Sequence, residues 1–356
     1  MRALRIASGV ACSSIALLVA SSASAAVATP TTPAATAPAP TPAAPTPAAP
    51  VPGRIQLVVQ RAFGKPPFAI VGSSVVIRGV VIPYVGGQKV KVSIYRNGRR
   101  VEVRTLGVAA IGTGAGQFQL SYSSSSAAAV EARTVHYATP EQAQFTGGSE
   151  LVDFVSPNLS PGVSGLSVRL LQSELNALHY VVPLNGVLDE ATGRALIAFR
   201  KMTGLARVPY ADASVFRRLR EGAGQFHVHY PHDGRHVEAD LTRQVLAEIE
   251  PRGHVRALYS MSSGKPSTPT VIGRFSVYLK TPGTNSEGMV DSNYFIRGYA
   301  IHGYAEVPTY AASHGCLRVP IPNAASIYSW VREGTPVDVY NESGGGSHNV
   351  SSHAGP

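Results

Sequence analysis

This sequence of 356 residues predicts a multidomain, mostly β chain: an immunoglobulin-like β-sandwich, then a small three-helix domain, then a second β-rich domain. Three patterns predict it. Between residues 54 and 155, short runs alternate apolar and polar residues and are punctuated by turn formers. Between 162 and 220 the apolar spacing changes to the three-and-four of helices. Between 224 and 340 strand-like runs return, separated by Gly and Pro breaks.

The N-terminal segment comes first. Positive charge in Met1 to Arg5 is followed by a short, mostly apolar run from Ile6 to Val19, then by an A-x-A site at Ala23, Ser24 and Ala25. Residues 1–25 therefore read as a cleavable secretory signal, with Ala26, Val27 and Ala28 as a second cleavage site. The run is short for a bilayer span, which leaves an uncleaved anchor as the alternative. A lipoprotein reading of Cys12 is opposed by its early position and by Gly9, where a large aliphatic residue is wanted. Export places the working chain outside the cytoplasm.

Residues 26–53 are almost all Ala, Pro and Thr, with TPAAP at Thr41 to Pro45 and again at Thr46 to Pro50. Proline holds such a segment extended at about 3.1 Å per residue, a semi-rigid stalk reaching on the order of 70 Å. At the other end, residues 341–356 are rich in Gly, Ser, His and Asn without apolar periodicity and are expected to be a disordered tail.

In the region 54–155 the expected strands are Ile55 to Val59, Ser74 to Val81, Lys89 to Tyr95, Val101 to Leu106, Gly116 to Tyr122 and Thr134 to Tyr137. Asn97-Gly98 is a two-residue hairpin signal between two of them. No chemistry is visible here, and the region reads as a spacer or interaction module.

In the region 162–220, Val168, Leu171, Leu175 and Leu178 share one face of a first helix. Asp189 is placed to cap a second helix burying Ala195, Leu196, Phe199 and Met202, and Asp212 to cap a third carrying Val215, Phe216 and Leu219. The order Val168, Leu171, Gln172, Leu175, then Asn185, Gly186, Asp189, Thr192, then Ala198, Phe199 resembles the peptidoglycan-binding domain type 1 family. Two positions depart from that pattern: Arg200 stands where glutamine is usual, and His179 where glycine is usual. The resemblance implies glycan binding; a copy that only spaces the other domains is the alternative.

The net charge of +10 favours anionic polymers such as acidic wall components as partners. No Lys/Arg cluster interleaved with aromatics accompanies it, so nucleic acid is not expected as a partner.

In the region 224–340 the expected strands are His236 to Leu241, Gln244 to Ile249, Arg256 to Met261, Arg274 to Leu279 and Tyr299 to His302, with a short helix near Asn323 to Arg332. Removing the signal removes Cys12 and leaves Cys316 as a lone thiol, unable to form an internal disulfide. Its neighbourhood, Ile301 to Val319, holds what thiol acyl transfer needs. A thiolate is the nucleophile, so a histidine must take the proton, and His302 and His314 both qualify. His314 lies two positions before Cys316, on the same side if the segment is extended. Gly315 removes bulk, so that the N–H groups of Gly315 and Cys316 are candidates to face a developing oxyanion.

The pattern His302, then fourteen positions on to Cys316 within Ser313-His314-Gly315-Cys316, resembles the L,D-transpeptidase catalytic domain family, as does the upstream run Ser262 to Phe275. That resemblance implies a β-rich L,D-transpeptidase catalytic domain over 224–340 in which Cys316 is the nucleophile, His302 the general base and the Gly303 carbonyl its orienter. Ser313, His314, Gly315 and Arg318 would line the site. It further implies acylation of Cys316 by the third residue of a peptidoglycan stem peptide, release of terminal D-alanine, and transfer to an amine on a neighbouring stem. Carbapenems are the expected inhibitors. Arg318 suits a substrate carboxylate, with a structural ion pair as the plainer reading. Tyr294 is a candidate to lend a hydroxyl near the oxyanion, with packing as its plainer reading. Hydrolysis of the same acyl-enzyme, an L,D-carboxypeptidase, and a non-catalytic wall-binding protein are the alternative functions. A papain-like peptidase wants its histidine well downstream of the cysteine, where only His348 and His353 lie.

The mechanism calls for no cofactor. His227, His229, His232 and His236, with Asp233 among them, have spacings zinc ligands use, but a thiol mechanism needs no metal and none is expected.

Overall fold

A computed structural model describes residues 49–342. The expected signal, most of the Ala/Pro/Thr segment and most of the C-terminal tail lie outside the described residues. Among the described residues no helix is long and apolar enough to cross a membrane.

The first domain has ten strands: β1 (Arg54–Gln60), β2 (Phe68–Ile70), β3 (Ser74–Ile82), β4 (Lys89–Arg96), β5 (Arg99–Gly107), β6 (Ala109–Ile111), β7 (Ala115–Ser123), β8 (Ala128–His136), β9 (Phe145–Gly148) and β10 (Val152–Val155). They form two sheets, β1-β3-β7-β6 and β2-β10-β8-β4-β5, with β9 paired to β8. Alternate residues of both sheets meet in one core, Val75, Ile77 and Phe118 from the first, Val92, Ile94, Val130 and Phe154 from the second. Asn97 and Gly98 turn β4 into β5 with φ of 48° and 76°, as a two-residue hairpin requires. Strand β8 begins at Ala128, well before the expected Thr134, because Ala128, Val130 and Ala132 face the core from a run with few of the β-branched residues that would announce a strand.

Three helices follow, α1 (Leu166–Ala177), α2 (Glu190–Thr203) and α3 (Ala213–Arg220). Both predicted caps are in place. Asp189 accepts from Thr192 N at 2.8 Å, and Asp212 accepts from Ser214 N at 2.8 Å. Val168, Leu171 and Leu175 are fully buried. The motif residues have structural work here: the Nε2 of Gln172, itself fully buried, lies 2.9 Å from each of Asn185 Oδ1, Val187 O and Thr192 Oγ1, and its Oε1 accepts from Gly186 N at 2.7 Å. The two departures are equally structural. Arg200, 2% exposed, donates to Asp212 and to the carbonyls of Tyr210 and Ala206, closing the α2–α3 turn. His179 occupies the left-handed region at φ 68°, a conformation that favours glycine.

The C-terminal domain holds β11 (His236–Asp240), β12 (Val245–Ile249), β13 (Val255–Ser260), β14 (Gly273–Ser276), β15 (Leu279–Thr284), β16 (Val290–Ile296), β17 (Tyr299–Tyr304), β18 (Leu317–Pro320), α4 (Ile321–Trp330) and β19 (Pro336–Tyr340). Its sheets run β13-β12-β11-β19-β14 and β15-β16-β17-β18. The expected single strand from Arg274 to Leu279 is in fact two. The chain changes sheets there, Val277 N donating to Thr335 O and Tyr278 N to Tyr294 O. Helix α4 starts at Ile321, slightly earlier than expected, with Pro322 in its first turn, where no N–H partner is lost.

Strand β12 is buried on both faces. Val245, Ala247 and Ile249 join the helical core, while Leu246 joins the core between the C-terminal sheets. Lys201 of α2, 4% exposed, crosses the same seam and donates to Gln244 O at 2.9 Å, Ser260 Oγ at 2.8 Å and Met261 O at 2.7 Å. Lys201→Ala leaves these acceptors buried without a donor and is expected to cost roughly 2–5 kcal/mol in urea unfolding. Burial and the Arg207 charge push the Lys201 ammonium down to about 7, against the pull of its three acceptors. Between that value and the ordinary 10.5 the unfolded chain binds more protons, so wild-type stability is expected to rise with pH in this window. The substitution removes that slope, and equal slopes would refute the assignment.

Candidate active site

The parallel strands β17 and β18 bring His302 and Arg318 into register as neighbours. Immediately before β18 the chain bends through His314, Gly315 and Cys316. It is not extended there, so the expectation that His314 and Cys316 share one side of a strand is replaced by a tight bend. Gly315 has φ 124°, and a Cβ on it would stand 2.2 Å from the Tyr299 ring, so both backbone and space demand glycine. The Gly315 N–H donates to Ser313 Oγ at 3.0 Å, and Ser313 Oγ donates to Cys316 O at 2.6 Å. This revises the oxyanion expectation: the Gly315 N–H holds the bend together, and of the two expected donors Cys316 N–H remains.

The upstream run Ser262 to Phe275 supplies the bend's support. Ser262 and Arg318 exchange backbone hydrogen bonds at 2.9 Å in both directions, and Ser313 N and Lys265 N donate to Ser263 O and Ser313 O, each at 2.9 Å. Thr270 Oγ1 donates to Gly315 O at 2.8 Å and accepts from Gly264 N at 2.8 Å.

His302 is 3% exposed. Its Nδ1 lies 2.9 Å from Gly303 O, an acceptor only, so Nδ1 carries the proton and Nε2 is left unprotonated. A Cβ on Gly303 would stand 2.7 Å from Ala324 Cβ, so glycine there lets α4 pack against β17. Burial holds His302 below its ordinary value, and the Arg318 charge acts in the same direction. Burial also pushes the half-buried Cys316 thiol up, outweighing the Arg318 charge. The resting pair is therefore a neutral imidazole and a thiol.

Cys316 and His302 open on one cleft of about 320 Å³, lined also by Ser313, His314, Arg318, Tyr304, Glu287 and Met289. Arg318 lies over the Tyr304 ring at 4.0 Å, a stack in place of the structural ion pair that was its plainer reading. His314 is exposed, its Nε2 3.2 Å from Lys265 Nζ. Tyr294 is not part of the cleft: it sits on β16 opposite Leu279 and Ala300, its ring 6.4 Å from that of Tyr278. It is half-buried there. Tyr304, Glu287 and Met289 were missed. Tyr304 was legible as the residue two beyond His302 on one strand; the other two arrive through the β15–β16 turn, which no local pattern announces.

Among the described residues no group of three His, Cys, Asp or Glu is arranged to hold a metal ion. The histidine-rich segment instead surrounds the buried Glu238. Its carboxylate accepts from His229 N at 2.9 Å and Tyr230 N at 2.8 Å and lies 3.2 Å from His236 Nε2.

Residues 234–339 match the family model of the L,D-transpeptidase catalytic domain. A solved L,D-transpeptidase from Xylanimonas cellulosilytica is 32% identical over 51% of this chain and 96% of its own, with a TM-score of 0.48. The chain belongs to the L,D-transpeptidase family. The family match and the sequence identity carry that assignment. An Enterococcus faecium L,D-transpeptidase C442S mutant is 28% identical over 30% of this chain and 50% of its own, TM-score 0.27. Mycobacterium tuberculosis L,D-transpeptidase 3, solved with a faropenem-derived adduct, is 18% identical over 30% and 60%, TM-score 0.27. No curated protein sequence matches this chain. The transpeptidase domain thus accounts for the whole cleft and for the segment that supports it.

Proposed function

We propose that this L,D-transpeptidase cross-links peptidoglycan through a thioester on Cys316, outside the cytoplasm. The observation that carries the proposal is His302 and Cys316 on one cleft, with His302 Nδ1 fixed on the Gly303 carbonyl. His302 Nε2 takes the thiol proton as sulfur attacks the carbonyl of the third stem residue. The Cys316 N–H faces the oxyanion, and Arg318 supplies positive charge for a stem carboxylate. Collapse breaks the C–N bond to the fourth residue, whose amine takes the proton from His302 and leaves as D-alanine. An amine of a second stem then attacks the thioester, gives a proton to His302, and expels the Cys316 sulfur, which is reprotonated. One amide is exchanged for another, so no external energy source is needed.

Within this reading the helical unit serves as a buttress for β12, since the residues that resemble a peptidoglycan-binding domain are occupied in holding its own loops. The decisive experiment incubates the protein with a disaccharide tetrapeptide and weighs the products. Cross-linked dimers with loss of D-alanine support the proposal, tripeptide alone means a carboxypeptidase, and unchanged substrate overturns catalysis.

A further inference from the structure

The cleft is electrostatically two-sided. Arg318, with Lys265 beside His314 at the rim, supplies the cationic side. Among the described residues, the single carboxylate lining it is Glu287. Glu287 is exposed at the tip of the turn between β15 and β16, and that turn is firmly held. Asn285 Oδ1 accepts from Glu287 N at 3.0 Å and from Met289 N at 2.9 Å, Asn285 N donates to Met289 O at 3.0 Å, and Met289 is 6% exposed. The Glu287 carboxylate belongs to no ion pair among the described residues, while its charge is felt at Cys316. Donor acylation does not use it, since the proton moves between Cys316 and His302 and a donor carboxylate is repelled by a second carboxylate.

The reaction nevertheless needs such a group. Near neutral pH the acceptor amine arrives as an ammonium, and the cations that suit the donor carboxylate repel it. We propose that Glu287 is the acceptor-selecting residue, receiving the ammonium of the incoming stem and directing it to the acyl-Cys316. This rests on the transpeptidase reading above. Of the three ammonium protons, one stays on the new amide, one returns through His302 to the Cys316 sulfur, and one passes to water beside Glu287. The carboxylate thus biases the acyl-enzyme toward amines over water.

The test uses the full chain and separates the two half reactions. Glu287→Gln is expected to form the acyl-enzyme from disaccharide tetrapeptide within about twofold of wild type. Its KM for an amine acceptor should rise about fivefold, the range of a solvent-accessible ion pair, with product shifting from dimer to tripeptide. Glu287→Lys should shift it further. Hydroxylamine, a nucleophile uncharged at neutral pH, should discharge wild-type and variant acyl-enzymes equally, which a collapsed turn would not allow. An unchanged acceptor KM overturns the proposal, as does a defect confined to donor acylation, which would place the carboxylate on the donor side. Wild type that forms no acyl-enzyme at all overturns the transpeptidase reading itself.

Discussion

Cys316→Ala is expected to abolish acyl transfer altogether while leaving the unfolding midpoint close to wild type, since a small residue replaces a small, half-buried one. The same variant should lose reaction with β-lactams. A strained β-lactam carbonyl offered to the thiol beside His302 opens onto sulfur and adds the whole inhibitor mass, because ring opening releases no leaving group. Intact-protein mass spectrometry after carbapenem treatment is therefore expected to find one added drug mass on wild type and none on the variant. Equal labelling of the two would mean that the reactive nucleophile lies elsewhere, and the proposed mechanism would fail with it.

His302→Ala is expected to slow acylation by about 10²- to 10⁴-fold, the usual range for loss of a general base. The pH dependence distinguishes this from a packing defect. Burial lowers the His302 pKa, so in the wild type the base is neutral and competent down to pH values below the ordinary histidine value of 6.5. The acid limb of acylation is expected below that value. Burial raises the Cys316 thiol above its ordinary 9.0, so thiolate is scarce at neutral pH and the rate leans on His302. In His302→Ala the acid limb should vanish, and the residual rate should climb with pH into the range where the thiol itself ionises. If His314→Ala proves crippling and His302→Ala mild, the base assignment reverses.

The residues proposed to carry the chemistry can be read from the sequence because they lie close together along the chain. Cys316, Ser313, His314 and Arg318 occupy one short run, and His302 precedes it by a fixed spacing, so local pattern was enough. The caps were legible for the same reason, Asp189 and Asp212 each acting on N–H groups two or three residues away. What was missed depends on distant pairing. Glu287 reaches the cleft only because β15 folds back on β16. The short strands β2, β9 and β10 are held by their neighbours in the sandwich, and three or four residues carry too little periodicity to be read alone. No local pattern marks Lys201; only the packing of α2 on β12 and β13 makes it a buried tie.

The two-sided burial of β12 bears on modularity. The alternation that sends Val245, Ala247 and Ile249 to one side and Leu246 to the other makes this strand the common property of two neighbours. A boundary drawn in the linker near residue 224 divides the sequence cleanly but strips one wall from the sheet that supports the bend carrying Cys316. The helical unit and the catalytic domain are therefore expected to travel as a pair: either one transplanted alone would carry half an interior.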